Sequence, residues 1–351
     1  MKSRPTFDDA AAAGIITAEQ ARALASFYAA SLHAAKPGRA VSFDLAHVLW
    51  YAGALVVIGA MGLFSTLAFG LMGGPALTAT ALFYAAVFIA AGQFLRTTRD
   101  LPVPGGLLVA CAVAMTPLAV YGLQESWGWS GHGRPGAYRE IFAWIKGGWV
   151  PMEAATLVAS AIALRVTRFG FITLIAAVSL WFLSMDLGAW ATSPDLDWET
   201  RRTISLWFGL GLVAFAWAVD LRQKQADYAF WLHLSGILTF WGAVTWHHSD
   251  SEVAKALYAL MNVGLIGFAI FLSRRIYAVF GAIGVALYLG DLASRVFRDS
   301  LLFPFALSLI GLGMIGLGIL YQRNARRVGG TMTRALPARL TRWRPDHADR
   351  A

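Results

Sequence analysis

A chain of 351 residues with 58% hydrophobic and 14% charged side chains does not have the make-up of a soluble domain, for which about 45–50% and about 25% are usual. The mean hydropathy is +0.58, and the formal charge of +9 comes with no recognisable nucleic-acid-binding module, so nucleic acid is not an expected partner. The single cysteine, Cys111, excludes an intrachain disulfide framework, a CxxC pair and a thiolate metal cluster, and inside an apolar run it reads as a packing residue.

Residues 1–44 read as a small cytoplasmic helical module. Gly14-Ile15-Ile16-Thr17 is a turn feeding a helix over 18–34, with Thr17 and Gln20 at capping-box spacing. Ala21, Leu24, Phe27/Tyr28 and Leu32 then form an apolar stripe at helical spacing. Such a stripe suits a helix resting on the membrane or a docking module for a cytoplasmic partner. The segment is too polar for a secretory signal, so the first apolar helix is expected to act as an uncleaved insertion signal.

A charged start, then Gly-Ile-Ile-Thr-Ala-Glu-Gln-Ala-Arg over 14–22, a linker and a Gly-rich multi-helix array together resemble a family of uncharacterised bacterial multipass membrane proteins. That family is defined by an N-terminal domain of unknown function, and the similar stretch covers roughly residues 10–95. Phe64-Ser65-Thr66 stands where the family pattern has an Asn-Trp pair. The resemblance implies a bacterial inner-membrane protein and brings no activity or catalytic residue with it.

A helix needs about 20 apolar residues to cross the ~30 Å hydrocarbon layer. Ten stretches qualify: 46–70, 76–95, 101–123, 149–165, 168–186, 203–221, 227–247, 254–273, 276–294 and 300–321. Backbone polar groups in lipid must bond within the segment, so helices are expected, and strands of a barrel would show short alternating segments. With the N-terminus inside, 21 of the 29 Lys and Arg fall on the cytoplasmic side and 8 on the outer side. Each short inner connection carries a basic pair: Arg96/Arg99, Arg165/Arg168, Arg222/Lys224 and Arg274/Arg275. The expected fold is therefore an all-α membrane bundle over 45–321, both termini cytoplasmic, with anionic lipid headgroups as partners of the basic face. Two sets of five spans have the topology of an inverted repeat, for which the likeness of Ser205–Gly211 to Ser308–Gly313 is a permissive sign.

Between the spans, the outer loop 124–148 carries Tyr138, Ile141/Phe142 and Ile145, continued by Trp149, on one helical face, as in a connector or lid lying on the membrane. Trp127, Trp129, Trp144, Trp149, Trp190, Trp198, Trp241 and Trp246 give the outer side an aromatic belt. Glycines on spans one, nine and ten (Gly53, Gly59, Gly62; Gly281, Gly284; Gly311, Gly313, Gly316, Gly318) mark expected close helix contacts. Pro102, Pro104 and Pro117 bracket and can kink span three. The tail 322–351 is Arg-rich, with Leu336, Leu340 and Trp343 on one helical face; it suits an interfacial helix or a disordered basic segment.

Ionisable groups inside spans are the functional candidates, because lipid makes them costly. Glu153 and Asp186 lie near the outer ends of spans four and five, and Glu153 has no Arg or Lys at helical spacing on its lipid side. Asp291 sits four residues before Arg295, which offers a local ion pair. Asp220 adjoins Arg222 and reads as an interfacial pair, while His233 and Asn262 are central polar groups suited to interhelical hydrogen bonds. His247, His248 and Asp250 are a weak metal candidate, since adjacent histidines diverge on a helix and no HExxH register is present. No cofactor motif and no nucleophile–base pair stands out, which ranks an enzyme third. Two readings lead: a transporter or permease with a polar path through Glu153, Asp186, Asp291, Asn262 and His233, and a non-catalytic scaffold docking a partner through residues 1–44, with a homo-oligomer open in either case.

Overall fold

The structure, a computed structural model, describes residues 7–34, 45–71, 73–128, 149–191, 197–222, 228–246, 251–296 and parts of 304–316. Loop 129–148, the His247/His248/Asp250 group and residues 317–351 lie outside the described residues. Described residues form α-helices and no strand. The chain divides into two compact units, residues 1–52 and 53–351.

In the first unit α1 (Phe7–Ala12) and α2 (Ala18–Ala34) are joined by a turn at Gly14, whose φ of 70° is one that glycine adopts without penalty. Thr17 and Gln20 cap α2 reciprocally: the Thr17 N–H donates to Gln20 Oε1 at 2.9 Å, and the Gln20 N–H to Thr17 Oγ1 at 3.2 Å. Of the apolar stripe, Ala21 is buried and Leu24 exposed; the side chains of Phe27, Tyr28 and Leu32 lie outside the described ones.

From Gly53 onward α3 (Leu45–Leu71) belongs to the second unit, followed by α4 (Gly74–Thr97), α5 (Pro102–Ala114), α6 (Thr116–Ser126), α7 (Val150–Thr167) and α8 (Ile172–Ala191). Helices α9 (Trp198–Arg222), α10 (Ala229–Thr245), α11 (Glu252–Leu272) and α12 (Arg275–Val296) follow. Seven helical stretches are long and apolar enough to cross a membrane: Leu45–Phe64, α4, the joined α5–α6, α7, α9, α11 and Arg275–Arg295. Two more, Ile172–Gly188 and Ala229–Thr245, are apolar but shorter. The 17 residues of α10 rise only ~26 Å, short of the hydrocarbon thickness. Where residues 304–316 are described they are helical. The expected single span 101–123 is broken at Met115, because Pro117 has no N–H to donate to the carbonyl four residues back; α6 restarts with that proline in its first turn.

The bundle is packed with its apolar chains outward. Val158, Ile162 and Val166 on α7, Trp207 and Phe215 on α9, and Leu257, Leu260 and Val263 on α11 are all exposed, as lipid-facing positions are. Small residues face in and let backbones approach. A Cβ added to Gly122 would stand 2.7 Å from the Gly74 carbonyl, and one added to Gly105 would stand 2.6 Å from the Gly92 carbonyl, so α4 lies directly against α5 and α6. Gly281 and Gly284 of α12 meet Asn262 of α11 in the same way. The other expected glycine faces differ: Gly53, Gly59, Gly62, Gly311, Gly313 and Gly316 have no described atom within 4 Å of an added Cβ. A glycine permits close approach but supplies no attraction, so glycine content alone does not choose the packed face.

Short connections put matching helix ends on one face of this unit. The α4–α5, α7–α8 and α11–α12 turns each hold a residue at positive φ (Asp100, Arg168 and Ser273). Arg96 donates to the Thr167 carbonyl at 2.9 Å, tying the C-terminal ends of α4 and α7, and the Thr173 hydroxyl donates to the Tyr228 carbonyl at 3.2 Å, tying the starts of α8 and α10. This is called the short-turn face below. Gly122→Ala is expected to cost about 1–3 kcal/mol through overpacking, whereas Gly211→Ala, with open space at its Cβ, is expected to stay within about 0.5 kcal/mol; unfolding in detergent micelles, followed by tryptophan fluorescence, measures the difference.

Candidate functional site: buried polar groups in the helical bundle

Helix α7 buries Met152, Glu153, Thr156, Ser160, Ala163 and Thr167. Steps of three and four residues put Glu153, Thr156, Ser160, Ala163 and Thr167 on one helix face, so this face is polar and small while valine and isoleucine face out. Glu153 is 7% and Asp186 1% exposed. Glu153 opens α7 and Asp186 lies near the end of α8, so the antiparallel pair brings both carboxylates to the end opposite the short-turn face, close enough to interact electrostatically. Glu153 Oε2, Asp186 Oδ2 and Ser160 Oγ have no hydrogen-bond partner among the described residues. Two neighbouring carboxylates cannot both stay ionised at low dielectric without a counter-charge; a proton or a cation between them relieves the repulsion.

A second buried polar group sits at the short-turn face. Asp220, near the end of α9, accepts from Arg274 Nη2 at 2.5 Å through Oδ1, and from Arg274 Nε at 3.1 Å through Oδ2. His233 of α10 has Nε2 3.0 Å from the same Oδ2 and Nδ1 2.5 Å from the Tyr277 hydroxyl of α12. Asp220 is 3% exposed, and His233 and Tyr277 are fully buried. A carboxylate only accepts, so Nε2 carries the hydrogen toward Asp220, and in the neutral ring Nδ1 accepts from Tyr277. The forked Asp220–Arg274 pair is then neutral overall. Arg274 is aimed by the end of α11: Ser273 takes a left-handed φ of 54°, and the Arg274 N–H donates back to the Ala269 carbonyl at 3.1 Å.

Asn262 makes a third, neutral group. Its Oδ1 accepts from Trp241 Nε1 at 2.9 Å and its amide donates to the Tyr258 carbonyl at 2.8 Å, with its side chain packed against Gly284. Asp291 is set apart from all of these. It is exposed and ion-paired to Arg295 at 2.7 Å and Lys255 at 3.8 Å, in a surface set that also includes Glu252 paired with Arg295. Of the residues singled out in the sequence, the structure thus brings Glu153 and Asp186 together, places His233 and Asn262 in separate settings, and puts Asp291 on the surface. Among the described residues no three His, Cys, Asp or Glu side chains are grouped to hold a metal.

Sequence reading missed Arg274 and Tyr277 and paired Asp220 with the wrong candidate. Arg222, two residues on and exposed, offered a local partner, whereas the residues that bond Asp220 lie 13 and 54 positions away. The available signal was a basic residue and a tyrosine bracketing the start of a span. No protein-family model, curated protein or solved structure matches the chain. Asn262→Ala is expected to cost about 1–3 kcal/mol, because it empties a fully buried position and leaves the half-buried Trp241 indole N–H without its acceptor; Asp291→Asn, on the surface, is expected to stay within about 0.5 kcal/mol. Thermal unfolding of each purified variant checks both.

Proposed function

We propose that the chain is a transporter or permease of a bacterial inner membrane, with ten spans, both termini cytoplasmic and a polar path entered at Glu153 and Asp186. The observation that carries this reading is the pair itself: two buried carboxylates at one end of the α7–α8 hairpin, each with an oxygen that has no hydrogen-bond partner among the described residues. A purely structural pair would be expected to come with a counter-charge or with hydrogen bonds to all its oxygens. The buried hydroxyls of Thr156 and Ser160 extend the polar face of α7 away from Glu153 toward the short-turn face. Ten spans follow if the two shorter helices and the segment 300–321 also cross. The basic pairs of the short turns then lie on the cytoplasmic side, against anionic headgroups, and Glu153 and Asp186 face the outer side.

The scaffold reading has its own support in the exposed Ile15 and Leu24 of the first unit, 75% and 42% accessible, which suit a docking surface. Flux measurements separate the two. In proteoliposomes assayed for proton flux with a pH-sensitive dye, and for uptake across a panel of monovalent cations and small solutes, Glu153→Gln and Asp186→Asn are expected to lower flux at least about tenfold, the equivalent of ~1.4 kcal/mol. Flux equal to that of the wild type in both variants would contradict the proposed path.

A further inference from the structure

Helices α9 and α10 pack as one hairpin and α11 and α12 as another, with denser packing inside each hairpin than between them. The hairpins meet through an apolar cluster of Ile237, Ala269, Leu272 and Tyr277. Polar ties flank that cluster at both ends, and their chemistry differs. At the short-turn end the ties are Asp220 to Arg274 and His233 to Tyr277. Toward the other end they are Trp241 to Asn262 at 2.9 Å and the Thr245 and Tyr258 hydroxyls at 3.0 Å. One end of the joint is held by charge around a histidine, and the other by neutral groups.

The groups facing His233 come from every element packed on it: Asp220 from α9, Arg274 from the α11–α12 turn and Tyr277 from α12. From α8 the nearby group is the Thr173 hydroxyl, bonded to the Tyr228 carbonyl, and Arg222 and Arg275 stand exposed beside the network in sequence. A proton added to His233 turns Nδ1 from acceptor to donor. The Tyr277 hydroxyl must then accept, and its own hydrogen has to find another partner in a fully buried position. A proton added to Asp220 removes the charge that holds Arg274. Either event converts a neutral, fully paired group into a buried cation with a broken hydrogen bond, which is unfavourable where water is excluded.

We propose that Asp220, His233, Arg274 and Tyr277 form a proton-released latch. It holds the α9–α10 hairpin against the α11–α12 hairpin at the short-turn face. Protonation lets that end part, while the neutral ties keep the opposite end joined as a pivot. The transport reading supplies what such an opening would admit; the opening itself needs no substrate to be observed.

The test is a pair of spin-label distances in the full chain in nanodiscs, on a Cys111→Ala background. Labels at Arg222→Cys and Arg275→Cys report the latch end, and labels at Thr203→Cys and Val253→Cys, both exposed, report the other. On acidification from about pH 8 to about pH 5, the latch-end distance is expected to grow by on the order of 5 Å, about one helical turn. The opposite-end distance is expected to hold. Asp220→Asn should show the longer latch-end distance at both pH values. Should that variant fail to fold, His233→Gln, which keeps hydrogen-bonding groups but takes up no proton, should move the opening to lower pH. A wild-type distance unchanged by pH, equal opening at both ends, or a His233→Gln response identical to the wild type would each overturn the latch. Opening without any flux difference in Glu153→Gln would keep the latch and remove the transport path, and the converse would remove only the latch.

Discussion

The carboxylate of Asp220 is buried among apolar and aromatic side chains, and a charge in that setting persists only if opposite charge and hydrogen bonds surround it. Arg274 supplies the charge from the α11–α12 turn, and His233 and Tyr277 extend the hydrogen bonding from α10 to α12. To meet this requirement α9 to α12 must be arranged with the end of α9 beside the start of α12. The Ser273 turn, with its left-handed backbone and return bond to Ala269, places Arg274 where the pair needs it.

The other half of the bundle solves a different problem. Helices α4, α5 and α6 approach closely at glycine, and α7 and α8 bury hydroxyls and two carboxylates, each carboxylate with an oxygen that has no hydrogen-bond partner among the described residues. Glu153 and Asp186, each with one oxygen unpartnered among the described residues, contrast with Asp220, whose two oxygens are both bonded.

Much of this was legible in the sequence where the determinants are local. Helical periodicity and apolar run length gave membrane-spanning helices, the Thr17–Gln20 spacing gave the cap of α2, and Pro117 gave the break after α5. Glu153 stood out because no cation lay at helical spacing on its lipid side. The network around Asp220 was hidden because its members are 13 and 54 residues from the aspartate, and a nearer arginine offered a decoy. Glycine faces were legible only in part: Gly284 packs on Asn262 while Gly59 packs on nothing described, because a missing side chain does not choose a partner.

The central claim is that Asp220 and Arg274 are energetically bound to each other across the two hairpins, and a double-mutant cycle addresses it most directly. Unfolding free energies of Asp220→Asn, Arg274→Gln and the double variant, measured in one detergent and at one pH, yield the coupling between the two side chains. The structure predicts a coupling of about 1.5–3 kcal/mol, with the double variant more stable than the sum of the single losses implies. Additive losses, with coupling within about 0.5 kcal/mol of zero, would contradict the account.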